Sequence, residues 1–212
     1  MKIEDKNIEL LKLITQLRDH IDVYRIIGLN ARTIRNSKIG ISDPLLGHLQ
    51  KSAQELLAIY ICKIFESSSR NDLNSIPGII KSLPSTPLSN QQRQEITAFG
   101  KKYGNTSNPT EAKPYLHNTF ELFCRVRSNS LDRLKEFRDK IGAHSDSEAN
   151  IQSLPSLAEF EILYDFASDF HELVRSSIDN LYPVIRPNSV GHGFVWLLQS
   201  LGLQEAKFDF NE

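Results

Sequence analysis

Apolar side chains recur at steps of three and four residues along most of the chain, which is the pattern of amphipathic helices. The first run predicts one long helix packed nearly parallel to a neighbour, and it consists of Leu10, Ile14, Leu17, Ile21, Tyr24, Gly28 and Ala31. A second long helix is predicted from Pro44, with Asp43 as its N-cap. Because every residue from Leu56 to Cys62 is apolar, this helix is expected at the centre of the domain.

Two more long helices complete the pattern. The third is predicted to begin between Thr110 and Tyr115 and to run without interruption into the stretch that ends at His144. The last begins after Ser156, which forms a capping box with Glu159, and ends before Pro183. No segment alternates with the period of a strand, so the predicted fold class is all-α. We expect an up-and-down helical bundle of four to five main helices, with a helical and loop insertion between the second and third long helices.

The predicted domain organisation is a single domain over residues 1–212. Its core comprises about 1–67 and 110–185, its variable insertion is 68–109, and its C-terminal short helix and tail are 186–212. The insertion is rich in Ser, Asn and Pro, and short helices are predicted there only at Ile76–Leu83 and Ser89–Tyr103. We therefore expect a mobile excursion on the bundle rather than a second domain.

The tail carries a predicted helix from Ser189 to Leu201. Its expected apolar side is Phe194, Leu197, Leu198 and Leu201, with Trp196 exposed or docked. Such a helix serves either as a lid on the bundle or as a dimer contact.

Charge is balanced globally but not locally. The chain has 25 Lys and Arg against 26 Asp and Glu, so its net charge does not argue for a nucleic-acid partner. Residues 125–140, however, hold six basic and three acidic side chains, whereas residues 151–182 hold six acidic side chains and Arg175. This asymmetry is consistent either with an anionic ligand near Arg138 or with two neighbouring helices of opposite charge.

Three arginines repeat every seven residues beside the apolar seam of the first helix: Arg18, Arg25 and Arg32. They form either a positive stripe that follows a phosphate backbone or an ordinary polar flank of a bundle helix. A flank position in a heptad favours the second interpretation.

Several classes of site and location are excluded by composition. The histidines are scattered and neither Cys62 nor Cys124 has a second cysteine nearby, so neither a metal site nor a disulfide is predicted. A phosphate-binding glycine loop is also missing, and no cofactor is expected. The charged start of the chain and the lack of about 18 consecutive apolar residues predict a cytoplasmic protein that does not enter a membrane.

The candidate chemistry lies at the end of the third helix. Leu131, Leu134, Phe137 and Ile141 form its predicted buried stripe, with Arg138 beside the stripe and His144 three residues after it. Six helical positions correspond to about 9 Å and roughly 120°, so the two polar side chains would flank Ile141 rather than meet. Either the helix unwinds at Gly142 or a second copy of the chain completes the site. The alternative is structural: cations in a last turn are favoured by the helix dipole, and Gly142 is a common stop.

The segment from Arg138 to His144, Arg-Asp-Lys-Ile-Gly-Ala-His, resembles the R-x(4 to 6)-H signature of the HEPN superfamily, in the form of its abortive-infection AbiU-type branch. The resemblance covers about residues 40–185. It implies a metal-independent endoribonuclease in which His144 deprotonates a ribose 2′-hydroxyl and Arg138 stabilises the reacting phosphate. Asp139 matches the polar position after the arginine in the family, which implies a role in orienting His144 or the partner's motif. The alternative is that Asp139 is an ordinary exposed aspartate of the helix.

The resemblance also implies partners. Family members normally place two motifs face to face across a homodimer, and the RNA would be contacted by the basic residues of the motif helix, Arg133, Lys135 and Lys140. Phage defence or a toxin role, with an antitoxin or regulatory protein, is implied as well. Where family members that are silenced by a nucleotidyltransferase have a tyrosine two residues after the histidine, this chain has Asp146, which argues against adenylylation of the motif.

A non-catalytic bundle that binds a partner protein or a nucleotide is the competing hypothesis. A nuclease requires Arg138 and His144 to be exposed in a cleft near a second copy. A scaffold tolerates them in salt bridges or pointing apart into solvent.

Overall fold

A computed structural model describes residues 2–36, 42–67, 73–143, 154–178, 190–203 and Ala206. Within these ranges the secondary structure is helical, apart from an isolated bridge between Pro87 and Glu111. The helices are α1 (Ile3–Leu29), α2 (Ala31–Asn36), α3 (Ser42–Phe65), α4 (Ile76–Ser82), α5 (Asn90–Lys102), α6 (Ala112–Val126), α7 (Ser128–Ala143), α8 (Leu157–Leu173) and α9 (Val190–Ser200), and a π-helical turn (Val174–Ile178) extends α8. The all-α prediction is confirmed.

Helices α1 and α3 form the central pair of the bundle. The predicted seam of α1 is buried at Leu10, Ile14, Leu17 and Ile21, none more than 3% exposed, and it packs on α3 and α8. Towards the end of α1 the burial changes to Ile26 and Ile27, whereas Gly28 is exposed. The seam prediction is wrong there because this end of α1 belongs to a second apolar cluster.

The third predicted helix is two helices in the structure. α6 ends at Val126, and Arg127 adopts a non-helical φ of −104° and ψ of 14° before α7 begins. The two halves have different neighbours, since α6 packs on α4 and α5 while α7 packs on α3. Val126 is 72% exposed at this break.

The helical part of the insertion is packed into the main core. Both helices begin as predicted: the hydroxyl of Ser75 accepts the Gly78 N–H, and Ser89 forms a reciprocal capping box with Gln92. Their apolar residues Ile76, Ile79, Ile80, Ile96 and Phe99 are buried with those of α1, α3 and α8. These residues therefore contribute to the core itself rather than lying on the surface of the bundle.

An aromatic cluster joins α5, α6 and α8. Phe166 stacks on Phe123 with ring centroids 3.9 Å apart and meets Tyr103 edge-on at 4.6 Å. Phe99 approaches Phe166 at 5.5 Å. Helix α8 begins at the predicted capping box of Ser156 and Glu159, and its stripe from Phe160 to Val174 is at most 1% exposed at every predicted position within the described part.

The tail helix α9 docks on α1, but through a narrower side than predicted. Leu198 is fully buried, whereas Leu197 and Leu201 are 44% and 45% exposed and Trp196 is 69% exposed. Ile26, Ile27, Ile34, Leu46 and Leu203 complete the cluster around Leu198. None of the helices in the ranges given above combines the length and the apolarity needed to cross a membrane.

Candidate functional site

Helix α7 carries the candidate site along one edge of its buried face. Leu134 and Phe137 are buried, and Leu131 is half-buried against the same core, as predicted. The backbone stays helical through Gly142 to Ala143, so the helix does not unwind at Gly142. His144 lies outside the described residues, as does the side chain of Ile141.

Arg138 is held between two carboxylates. Its Nε and Nη2 both donate to Asp139 Oδ1, at 3.0 and 2.8 Å. Its Nη1 donates to Glu66 Oε2 at 3.3 Å. The Arg138 side chain is 26% exposed, compared with 57% for Asp139 and 48% for Glu66. The guanidinium is therefore at the surface, ion-paired but within reach of solvent.

The hydrogen bond to Asp139 is the main cause of a raised pKa of Arg138, which lies above its ordinary value. Partial burial of the guanidinium acts on the pKa in the opposite direction. Arg138 is a permanent cation in any case, so the contact matters for orientation rather than for charge.

Helix α3 supplies the other wall of the site. Glu66 follows the last residue of α3, and its N–H donates to the Cys62 carbonyl at 2.8 Å. Burial raises the pKa of the Cys62 thiol to about 11. The nearby charge of Arg138 acts to lower this pKa, but its effect is smaller than that of burial. Cys62 is thus a protonated core thiol at neutral pH and not a nucleophile.

The three basic residues predicted to contact RNA have different surroundings. Arg133 donates to the Leu154 carbonyl and lies 4.0 Å from Glu159 Oε1, which connects α7 to the start of α8. Lys140 pairs with Glu136 one turn earlier at 2.6 Å. Lys135 is exposed and has no ion pair within the described residues. On the helix it lies three positions before Arg138, so these two cations share one flank.

Two of the three regularly spaced arginines, Arg18 and Arg25 of α1, make contacts within the bundle, whereas Arg32 lies in α2 and is exposed. Arg18 pairs with Asp22 at 3.1 Å and lies 5.5 Å from the Tyr164 ring centroid. Arg25 is ion-paired with Glu161 of α8 and is only 12% exposed. These contacts favour the polar-flank interpretation over a phosphate-binding stripe.

Glu66 was missed by the sequence analysis. The only available signal was an acidic residue directly after the buried helix α3, and such residues are ordinary at helix ends. Its pairing with Arg138 joins positions 72 residues apart, which no local pattern reveals.

A separate cleft of about 590 Å³ lies between α4 and the start of α6. Its polar lining includes Ser75, Lys81, Lys113 and His117, and Lys113 Nζ donates to the Lys81 carbonyl at 2.8 Å. It shares no residue with the Arg138 site. Across the described part of the chain, no group of three or more His, Cys, Asp or Glu is arranged to hold a metal ion.

Comparison with known proteins gives one result. The family model HEPN_AbiU2, described as AbiU2, matches residues 2–181. No curated protein and no solved structure matches the chain. The family match begins at residue 2, so it extends the resemblance seen over 40–185 to the whole of α1. The Arg138 to His144 segment and most of the helical bundle lie within it, and the chain therefore belongs to the AbiU2 family of HEPN abortive-infection proteins.

Proposed function

We propose that this protein is a metal-independent endoribonuclease of the abortive-infection type, acting as a homodimer through Arg138 and His144. The observation that carries the proposal is the position of Arg138: inside the family match, on the edge of a well-packed helix, with its guanidinium at the surface. The predicted chemistry needs such a rigid cation next to the reacting phosphate.

In the proposed reaction, His144 removes the proton of a ribose 2′-hydroxyl, and the 2′-oxygen attacks the adjacent phosphorus. The bond from phosphorus to the 5′-oxygen breaks, and that oxygen takes up a proton from water and leaves as a 5′-hydroxyl. The other product end is a 2′,3′-cyclic phosphate. Arg138 stabilises the charge that builds on the phosphoryl oxygens. Because DNA lacks the 2′-hydroxyl, it is not cut.

Asp139 has a further role in this scheme beside the predicted one. Its carboxylate contacts Arg138, so we assign it to orienting the guanidinium. The predicted contact with His144 involves a residue outside the described ones. Lys135, exposed on the same flank, is the RNA contact favoured by its surroundings.

Helix geometry supports the proposed dimer. With α7 helical to Ala143, residues six positions apart are separated by about 9 Å and roughly 120°. If the helix continues to His144, a single copy of the motif does not direct both side chains at one phosphate. A second copy, related by two-fold symmetry, supplies the missing group.

The competing function is a non-catalytic bundle that binds a partner protein or a nucleotide. It is favoured by the two carboxylates on Arg138, because they already compensate its charge as in a structural salt bridge.

The test is RNA cleavage in EDTA by the purified protein, on a mixed RNA pool and a matched DNA pool. Arg138→Ala and His144→Ala are expected to abolish cleavage, whereas Arg93→Ala removes an exposed cation of α5 and should not affect it. Activity that persists in both site variants contradicts the proposal. A wild-type protein that binds RNA without cutting it supports the non-catalytic bundle.

Mixing the two inactive variants tests the shared site. If each site combines Arg138 of one chain with His144 of the other, mixed dimers contain one intact site, and re-equilibrated mixtures recover about a quarter of the wild-type rate. If both groups act within one chain, no activity returns.

A further inference from the structure

The two edges of the Arg138 guanidinium are occupied unequally. The side edge, formed by Nε and Nη2, is closed by one oxygen of Asp139 at 3.0 and 2.8 Å. Among the described residues, the end edge, formed by Nη1 and Nη2, has one contact, the 3.3 Å hydrogen bond from Nη1 to Glu66 Oε2. A guanidinium has five N–H donors, so this end fork is where a phosphate can still bind through two parallel hydrogen bonds.

The Glu66 contact can be exchanged for another anion. The Glu66 side chain is 48% exposed, and exposed ion pairs contribute little to stability. Its backbone is fixed to α3 through the Cys62 carbonyl, so the side chain can rotate away without any change in the fold. Asp139 keeps the side edge closed meanwhile, which leaves the end fork pointing in the same direction.

We propose that Glu66 occupies the phosphate position of Arg138 in the free protein and competes with the RNA backbone for it, while Asp139 is the positioning residue. The inference rests on the proposed function for the nature of the ligand, a phosphodiester. In the free protein, Lys135 and Arg138 are balanced by Glu66 and Asp139. When the Glu66 side chain rotates away, only Asp139 remains beside Lys135 and Arg138. These three side chains then have one net positive charge next to the incoming phosphate.

The experiment compares Glu66→Gln with Glu136→Gln. Both remove one carboxylate near α7, but Glu136 pairs with Lys140 and has no contact with Arg138. Binding of the full-length protein is measured by fluorescence anisotropy with an RNA oligonucleotide whose 2′-hydroxyls are methylated, so that it cannot be cut. Glu66→Gln is expected to bind about three- to tenfold more tightly than wild type at low salt, and Glu136→Gln by less than about twofold.

A double variant and the comparison of affinities decide the inference. The gain must disappear in the double variant Glu66→Gln/Arg138→Ala, because it depends on the guanidinium. Equal affinities of Glu66→Gln and Glu136→Gln, a gain that survives without Arg138, or no RNA binding by Glu66→Gln would each overturn the inference. Cleavage of unmodified RNA is measured separately. If unmodified RNA is not cleaved, the proposed nuclease activity is contradicted. A gain in RNA binding that depends on Arg138 would still support the role of Glu66.

Discussion

The close contact between α5 and α6 makes Gly100→Ala a sharp test of the fold. Helix propensity alone predicts that replacing a helical glycine by alanine stabilises the protein by about 1 kcal/mol. In the structure, a Cβ at Gly100 would lie 2.1 Å from the Tyr115 hydroxyl oxygen and 2.6 Å from two atoms of its ring. The tertiary contact and the local preference therefore predict opposite signs.

The contact dominates because Tyr115 cannot retreat easily. It is 4% exposed, and its hydroxyl donates to the Asn105 carbonyl at 3.2 Å. Overpacking of this kind costs about 1–3 kcal/mol. Loss of the hydrogen bond adds about 1 kcal/mol, which offsets the gain of about 1 kcal/mol in propensity. We expect Gly100→Ala to lower the free energy of unfolding by about 1–3 kcal/mol.

Urea denaturation followed by far-ultraviolet circular dichroism measures this difference. Gly47→Ala is the matched control, since Gly47 is an exposed glycine of α3 and a Cβ there meets nothing within 4 Å. It should raise the free energy of unfolding by about 0.5–1 kcal/mol. If both variants are stabilised equally, α5 does not pack on Tyr115 as described, and the assignment of the insertion to the core is wrong.

Three other outcomes are expected. Ser156→Ala removes the N-cap of α8 and should cost about 1 kcal/mol in urea denaturation; an unchanged midpoint would show that the cap is not formed. Hydrogen bonds from Ser130 and then Ser156 lower the pKa of Glu159, so its carboxylate stabilises the fold above roughly pH 4. Glu159→Gln should thus be less stable than wild type at neutral pH, and the difference should vanish as the pH falls through the lowered pKa; a pH-independent deficit contradicts this. Trp196, the single tryptophan, is 69% exposed and should emit like free tryptophan and be quenched by acrylamide; blue-shifted, protected emission would mean that this face of α9 is covered.

The helices of the core were predictable because their determinants are local. Apolar period, capping residues and prolines identified α1, α3, α5 and α8, and the predicted capping box of Ser156 and Glu159 is formed. The interruption at Arg127 was not predictable, because the periodicity of α6 continues into α7 and only their different packing partners separate them. The burial of Phe99 was not predictable either, because the surrounding insertion is polar and rich in proline, which is typical of surface segments. Only the folded structure shows that Phe99 packs against Phe166 and Phe170.

The candidate site was also predictable only in part. The position of Arg138 beside a buried helical stripe was predictable from the sequence, since a spacing of three and four residues fixes the face of each side chain. The contacts of Arg138 were not predictable without the packing of the helices. Glu66 directly follows α3, and it reaches the guanidinium because α3 and α7 pack side by side. A contact between distant positions depends on the packing of two surfaces, and no periodicity within either segment encodes it.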